Sequence, residues 1–91
     1  MKSIVQTEAR CYVCGCVRGL EVHHIMPGTA NRKLSTKYGL VVYLCREHHT
    51  GKTGVHTDHE LMIRVKMDGQ RAFESIHGHQ AWMDVFGKNY L

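Results

Sequence analysis

The chain has 91 residues, which is room for one domain with a thin hydrophobic core. Hydrophobic residues make up 43% of it and charged residues 22%, a globular composition that excludes wholesale disorder. The 12 lysines and arginines outnumber the 8 aspartates and glutamates, and the net charge of +4 fits a polyanionic partner. No apolar run approaches the roughly 20 residues that span a bilayer, and the N-terminal residues lack the apolar stretch of a secretory signal. We therefore expect a cytoplasmic protein without a membrane partner.

Two strands are predicted in the first half of the chain. Residues 20–25, LEVHHI, alternate in the manner of a strand, and a Pro-Gly pair ends it. The polar and basic segment 28–37 is typical of a loop. Residues 40–44, LVVYL, form a short apolar run rich in β-forming residues, which predicts a second, buried strand. A helix can begin in the segment 45–49, but two glycines shortly after it limit its length.

The second half of the chain is predicted to be helical. Thr57-x-x-Glu60 is the pattern of a capping box, which opens a helix that we expect to end at Gly78. Gly69 is expected to weaken the middle of this helix. A shorter helix is predicted over 80–86, ended by the glycine that follows. The methionines and large aromatic residues of both helices are interpreted as core packing.

Three of the four cysteines, together with one histidine, predict a zinc site. Cys11-x-x-Cys14 is followed by glycine, and Cys45-x-x-His48 repeats the same spacing later in the chain. Structural zinc takes four thiolate or imidazole ligands in a tetrahedron, so these four residues predict a closed Cys3His site that would staple a small core. Disulfides are the alternative, which a cytoplasmic location disfavours. Cys16 is interpreted as a free thiol, with replacement of Cys14 in the zinc site as the alternative.

The paired histidines indicate a second metal. His23-His24 ends the first predicted strand, and His48-His49 follows the second. Neighbouring side chains of a regular strand point to opposite faces, so His23 and His24 cannot both bind one ion unless the strand bends. We interpret His23 and His49 as ligands of a catalytic divalent ion, with His24 beside it as a general base. His56 is a candidate third ligand, and a surface position is the equal alternative. A solvated surface explains any single histidine, but two such pairs favour a site.

Basic residues in the same half of the chain are candidate contacts to DNA phosphates. They are Arg32, Lys33, Lys37, Arg46 and Lys52. Contacts of this kind position DNA without reading its sequence, and ordinary solvation is the alternative. No helix has the character of a base-reading element, so we expect little intrinsic sequence specificity.

In order and spacing these residues resemble the HNH endonucleases of the ββα-metal type. The matching segments are Cys11-x-x-Cys14-Gly, LEVHHI at 20–25 followed by Pro27, VVYLC ending at Cys45, and Cys45-x-x-His48-His49. The resemblance extends from residue 11 to 56 and is greatest to small HNH proteins of bacteriophages and prophages, which also carry a helical tail. It implies a strand pair and a helix around one catalytic divalent metal that acts on DNA.

The resemblance also implies roles for individual residues. His23 takes the place of a metal ligand that is often aspartate, His24 that of the general base, and His49 that of a second metal ligand. His48 replaces the fourth cysteine of the family's zinc site. The asparagine that the family places at the entry to the second strand has no counterpart here, and Asn31 is the candidate for its orienting role.

We therefore predict a single α+β domain over 1–91, a small zinc-stapled ββα-metal domain in which the helical segment 57–91 packs on the metal core at 11–56. The predicted function is that of a metal-dependent DNA endonuclease or nickase. A non-catalytic zinc module that binds nucleic acid or protein is the alternative. Structural Zn²⁺ is expected together with catalytic Mn²⁺, Ni²⁺ or Mg²⁺, of which the first two suit histidine ligands better. The small footprint is compatible with a homodimer or a larger phage or host protein as partner.

Overall fold

The computed structural model of the chain describes residues 2–91. Its elements are strand β1 (Glu21–His24), helix α1 (Thr29–Tyr38), strand β2 (Val41–Leu44), and helices α2 (Arg46–His49), α3 (His59–His77) and α4 (His79–Phe86). The two strands pair antiparallel, with Glu21 opposite Leu44 and His24 opposite Val41. The α+β class and both predicted strands are thus confirmed. Within residues 2–91, no helix combines the length and the apolar character that crossing a membrane requires.

Helix α1 shows that the loop predicted over 28–37 was wrong. The helix ends at Gly39, which has a φ of 72° and adopts the left-handed conformation that glycine favours. The loop prediction depended on polarity, but α1 lies on the surface and buries only Ser35. The Oγ of Ser35 accepts a hydrogen bond from the backbone N–H of Met26 at 3.2 Å. Tyr38 in its last turn packs edge to face on Phe73, with ring centroids 5.2 Å apart, but it is only part-buried. The apolar stripe of α1 is therefore narrow, and its period is weak in the sequence.

The sheet and the two longer C-terminal helices enclose the core. Its fully buried apolar side chains include Leu40, Val41, Val42, Leu44, Val55, Val65 and Trp82. Gly69 lies where α3 packs on Ile25, and a Cβ at this position would come within 3.1 Å of the Cδ1 of Ile25. The glycine expected to weaken α3 therefore lets the helix approach the end of β1. Phe73 and Trp82 pack edge to face, with ring centroids 5.5 Å apart, and join α4 to α3.

Helix α3 begins one residue later than the predicted capping box implies. Asp58 is the N-cap, and its Oδ1 accepts a hydrogen bond from the N–H three residues on at 3.1 Å. The hydroxyl of Thr57 is used elsewhere: it donates to carbonyls of the preceding loop, including that of Lys52 at 2.8 Å. The predicted helix ends at Gly78 and Gly87 are confirmed.

Candidate metal centres

The predicted Cys3His cluster forms. Cys11, Cys14, Cys45 and His48 each bring one ligand atom within 4.8 Å of all the others. The Sγ atoms of Cys14 and Cys45 are 3.8 Å apart, and the Nδ1 of His48 is 3.2 Å from the Sγ of Cys45 and 3.7 Å from that of Cys11. Ligands about 2.3 Å from a tetrahedral zinc ion lie about 3.8 Å from one another, so the donor set fits the ion. The cluster could hold a metal such as zinc.

Two tight turns build this centre. The backbone N–H of Gly15 donates to the carbonyl of Cys11 at 2.9 Å, and Gly15 has a φ of 77°, which glycine adopts without strain. Cys45 caps the short helix α2, which places residue 48 one turn further along on the same side. Cys16 lies outside the cluster, with its exposed Sγ against the backbone N–H and carbonyl of Arg18.

The buried cysteine of this centre has a perturbed acidity. Burial alone would raise the pKa of Cys11, but backbone hydrogen bonds from Cys14, Cys45 and Val13 outweigh it and lower the pKa to about 6. The thiolate that zinc requires is therefore the favoured form at neutral pH even before a cation is bound.

A second cluster consists of three histidines. One ring nitrogen from each of His23, His49 and His56 lies within 4.8 Å of the others. The ring centroid of His23 is 5.4 Å from that of His49 and 5.4 Å from that of His56. The centroids of His49 and His56 are 5.0 Å apart. Three imidazoles suit Mn²⁺, Ni²⁺, Co²⁺ or Zn²⁺ better than Mg²⁺, which prefers oxygen ligands.

The loop after α2 brings His56 to this cluster. The backbone N–H of Val55 donates to the carbonyl of His48 at 2.8 Å, so the chain folds back on α2. Gly54 makes this close return feasible, because a Cβ there would lie 2.7 Å from the carbonyl oxygen of His49. The sequence left His56 open to a ligand role or a surface position. In the structure it is exposed and also lies beside the other two histidines.

Burial keeps the innermost histidine neutral. His23 retains only 8% of its side-chain exposure, and burial, reinforced by the nearby His49 and His56, lowers its pKa to about 4. A neutral imidazole is the form that binds a metal ion. His23 therefore meets this requirement throughout the physiological pH range.

Glu21 is a functional candidate that the sequence analysis missed. Its Oε1 lies 2.8 Å from the Nδ1 of His49, which leaves Nε2 of that ring available to a metal. Carboxylates that accept from the second nitrogen of a metal-binding histidine fix its orientation and raise its basicity. The strand period of two could have pointed to it, because Glu21 and His23 lie on the same face of β1.

A cavity of about 350 Å³ opens beside the three histidines. Its walls include the three ligands, His24, Arg32 and Lys66. The Nε2 of His24 lies 3.1 Å from the Oγ1 of Thr36 on α1. Burial, followed by the positive charge of Arg32, lowers the pKa of His24. A titratable histidine, two cations and a nitrogen-rich cluster thus share one concave site.

Of the residues expected to contact DNA or to orient the base, only Arg32 lines the cavity. Asn31 is part of α1 rather than of a loop, and Thr36, not Asn31, is the α1 residue that contacts His24. Arg32 borders the cavity. The remaining candidates are exposed on α1, on α2 and in the following loop, and they do not line the cavity: Lys33, Lys37, Arg46 and Lys52.

Comparisons of the chain with known protein families, with curated proteins and with solved structures found no match. The HNH family therefore stays a prediction that depends on the motif residues, while the two clusters depend on the geometry described above.

Proposed function

We propose that the protein is a metal-dependent DNA endonuclease or nickase of the HNH type. The observation that supports it best is the single cavity that holds His23, His49 and His56 together with His24. In this proposal the Cys3His cluster binds zinc and stabilises the fold. The three-histidine cluster binds the divalent ion that acts in the reaction.

His24 is proposed as the general base. Its Nε2 donates to the Oγ1 of Thr36 in the tautomer that leaves Nδ1 unprotonated, so Nδ1 can accept a proton. The proton comes from a water molecule whose oxygen attacks phosphorus, and the bond from phosphorus to one sugar oxygen breaks. A divalent ion, when bound, supplies positive charge to the phosphate and to the leaving oxygen.

Two cationic side chains make the cavity suitable for binding a phosphate group. Arg32 comes from α1 and Lys66 from α3, and both line the cavity with the histidines. A phosphodiester entering it meets positive charge from two elements, which favours binding of a polyanion. DNA as the particular substrate follows from the resemblance to the HNH family, as does the expectation of low sequence specificity.

The test is cleavage of supercoiled plasmid DNA with Mn²⁺, Ni²⁺ or Mg²⁺. Wild-type protein should nick the plasmid, and His24→Ala should lose at least a hundredfold in rate, the usual contribution of a general base. His59→Ala is the matched control, because His59 is an exposed histidine outside the cavity. Zinc content and thermal melting are measured on all three proteins.

The same experiment decides against the proposal if zinc-loaded, folded wild-type protein cleaves with none of the three ions. That result would favour the alternative of a non-catalytic zinc module that binds nucleic acid or protein. This alternative would then depend on the observation that His24 has its hydrogen-bond contact with Thr36 and not with Asn31.

A further inference from the structure

The segment that follows α4 is held in place by two buried side chains. Gln70 is fully buried; its Nε2 donates to the Oδ1 of Asn89 at 2.7 Å, and its Oε1 accepts from the N–H of Tyr90 at 2.8 Å. Trp82, also fully buried, donates from Nε1 to the carbonyl of Lys88 at 2.7 Å. Three hydrogen bonds from the core, two to the backbone and one to the side chain of Asn89, thus fix residues 88–90 against α3 and α4.

This anchoring places two ammonium groups on one aromatic ring. The Nζ atoms of Lys66 and Lys88 each lie 5.3 Å from the ring centroid of Tyr90. Burial, and after it the charge of Lys88, lowers the pKa of Lys66, as expected for two neighbouring cations. Within residues 2–91, neither lysine forms an ion pair with a carboxylate. The repulsion between the two lysines is therefore not compensated by an acidic side chain.

The two lysines continue the positive wall of the metal cavity. Lys66 lines the cavity that holds the histidine cluster, and Lys88 is exposed and shares the Tyr90 ring with it. A cation–π contact to Tyr90 needs only one lysine, so the ring contact does not explain why two are held together. An anion bound near both ammonium groups would relieve their repulsion, and Lys66 would place it close to a phosphate in the cavity.

We propose that Lys66 and Lys88, held on Tyr90, bind the DNA backbone phosphate next to the one that is cleaved. The identity of the polyanion as DNA rests on the proposed function. The placement of two lysines without ion pairs on the ring of Tyr90, one of them lining the cavity, does not depend on the proposed function. The segment 88–90 is then part of the nucleic-acid surface, and Gln70 and Trp82 are the residues that position it.

The test is binding of a fluorescently labelled DNA duplex to zinc-loaded protein at several KCl concentrations, without added Mn²⁺. Lys66→Met and Lys88→Met remove the charge and keep an unbranched side chain against Tyr90. Each should weaken binding several-fold and reduce the slope of log Kd against log salt by about 1. Lys2→Met is the matched control, because Lys2 is exposed and lines a different hollow, with Gln6 and Tyr43. It should leave the slope unchanged.

The proposal is overturned if neither Lys66→Met nor Lys88→Met changes the slope, or if Lys2→Met changes it equally. It is also overturned if the variants lower only the melting temperature. Plasmid cleavage by the same wild-type protein separates this result from the proposed function. If the wild-type protein cleaves plasmid but both variants keep the wild-type slope, only the proposed phosphate site is rejected. If the variants reduce the slope but the wild-type protein cleaves no plasmid, the nuclease proposal is rejected and the phosphate site is supported.

Discussion

Glu21 on β1 and His49 on α2 are joined by a contact of 2.8 Å between Oε1 and Nδ1. The contact links the strand that carries His23 to the short helix that carries the zinc ligand His48. Consecutive residues of a helix point about 100° apart, so α2 directs His48 toward the cysteines and His49 toward the other histidines. One turn of helix thereby connects the two candidate metal centres, and Glu21 holds the orientation of the second.

Replacing Glu21 should lower the affinity of the three-histidine cluster for a divalent ion and leave zinc binding by the Cys3His cluster unchanged. Glu21→Gln removes the charged acceptor, and loss of such a partner typically lowers metal affinity 10–100-fold. The measurement is calorimetric titration of zinc-loaded protein with Ni²⁺. Glu60→Gln, an exposed carboxylate in the first turn of α3, serves as the control. Equal Ni²⁺ affinities for the two variants would show that Glu21 does not contribute to metal binding.

Removing zinc should unfold the protein. Binding energies of about 10–16 kcal/mol at structural zinc sites are as large as the whole stability of a typical protein, roughly 5–15 kcal/mol. Cys45→Ser should therefore lose zinc and show no cooperative thermal transition. Cys16→Ser is the matched control, because Cys16 is exposed and lies outside the cluster. A zinc-free protein with an unchanged melting temperature would show that the cluster does not stabilise the fold.

Thr36 is expected to position His24 for catalysis. Thr36→Val keeps the shape and removes the hydroxyl that contacts the Nε2 of His24. Loss of one hydrogen bond of about 0.5–1.5 kcal/mol predicts a roughly twofold to tenfold lower kcat with little change in KM. Thr36→Ser retains the hydroxyl and should restore kcat. A valine variant with wild-type kcat, or a serine variant as slow as valine, would argue against this role.

Acid stability should depend on Glu74. Hydrogen bonds from Gln70, and after it from His79, lower the pKa of Glu74 below its ordinary value of 4.5. A carboxylate whose folded pKa is lowered stabilises the fold above the unfolded pKa, and this contribution is lost as pH falls through the folded pKa.

Glu74→Gln tests this contribution. The melting temperature of the variant should be lower than that of the wild type at about pH 6, and the gap should narrow as the pH falls below 4.5, measured at pH values where both proteins retain their zinc. Comparing the two proteins at each pH cancels the protonation of the metal ligands, which both share. A gap that stays constant over this range would mean that the ionised Glu74 does not contribute.

The cysteine cluster could be predicted because ligand spacing within a tight turn is a local property. Cys11 and Cys14, and likewise Cys45 and His48, are three residues apart, a spacing that lets one turn bring both side chains to a single point. Helix α1 could not be predicted in this way, since Ser35 is its one buried residue and Tyr38, which packs on Phe73, is only part-buried.

Contacts between distant elements were also beyond the sequence. Thr36 of α1 contacts His24, and Lys66 of α3 lines the cavity, only because these helices pack around the sheet. The capping pattern at Thr57 was misassigned by one residue, because the hydroxyl closes the preceding loop instead of the helix. Glu21 was within reach, because the alternation of β1 places it on the same face as His23.

The measurement that tests the central claim most directly is plasmid nicking by zinc-loaded protein as Mn²⁺ is added. Wild-type nicking should rise from none to a plateau. His56→Ala, which removes the exposed ligand of the histidine cluster, should require more Mn²⁺ or fail to reach the plateau. His59→Ala should follow the wild-type curve. Nicking that needs no added metal, or a His56→Ala curve identical to wild type, would contradict an active metal at the three histidines.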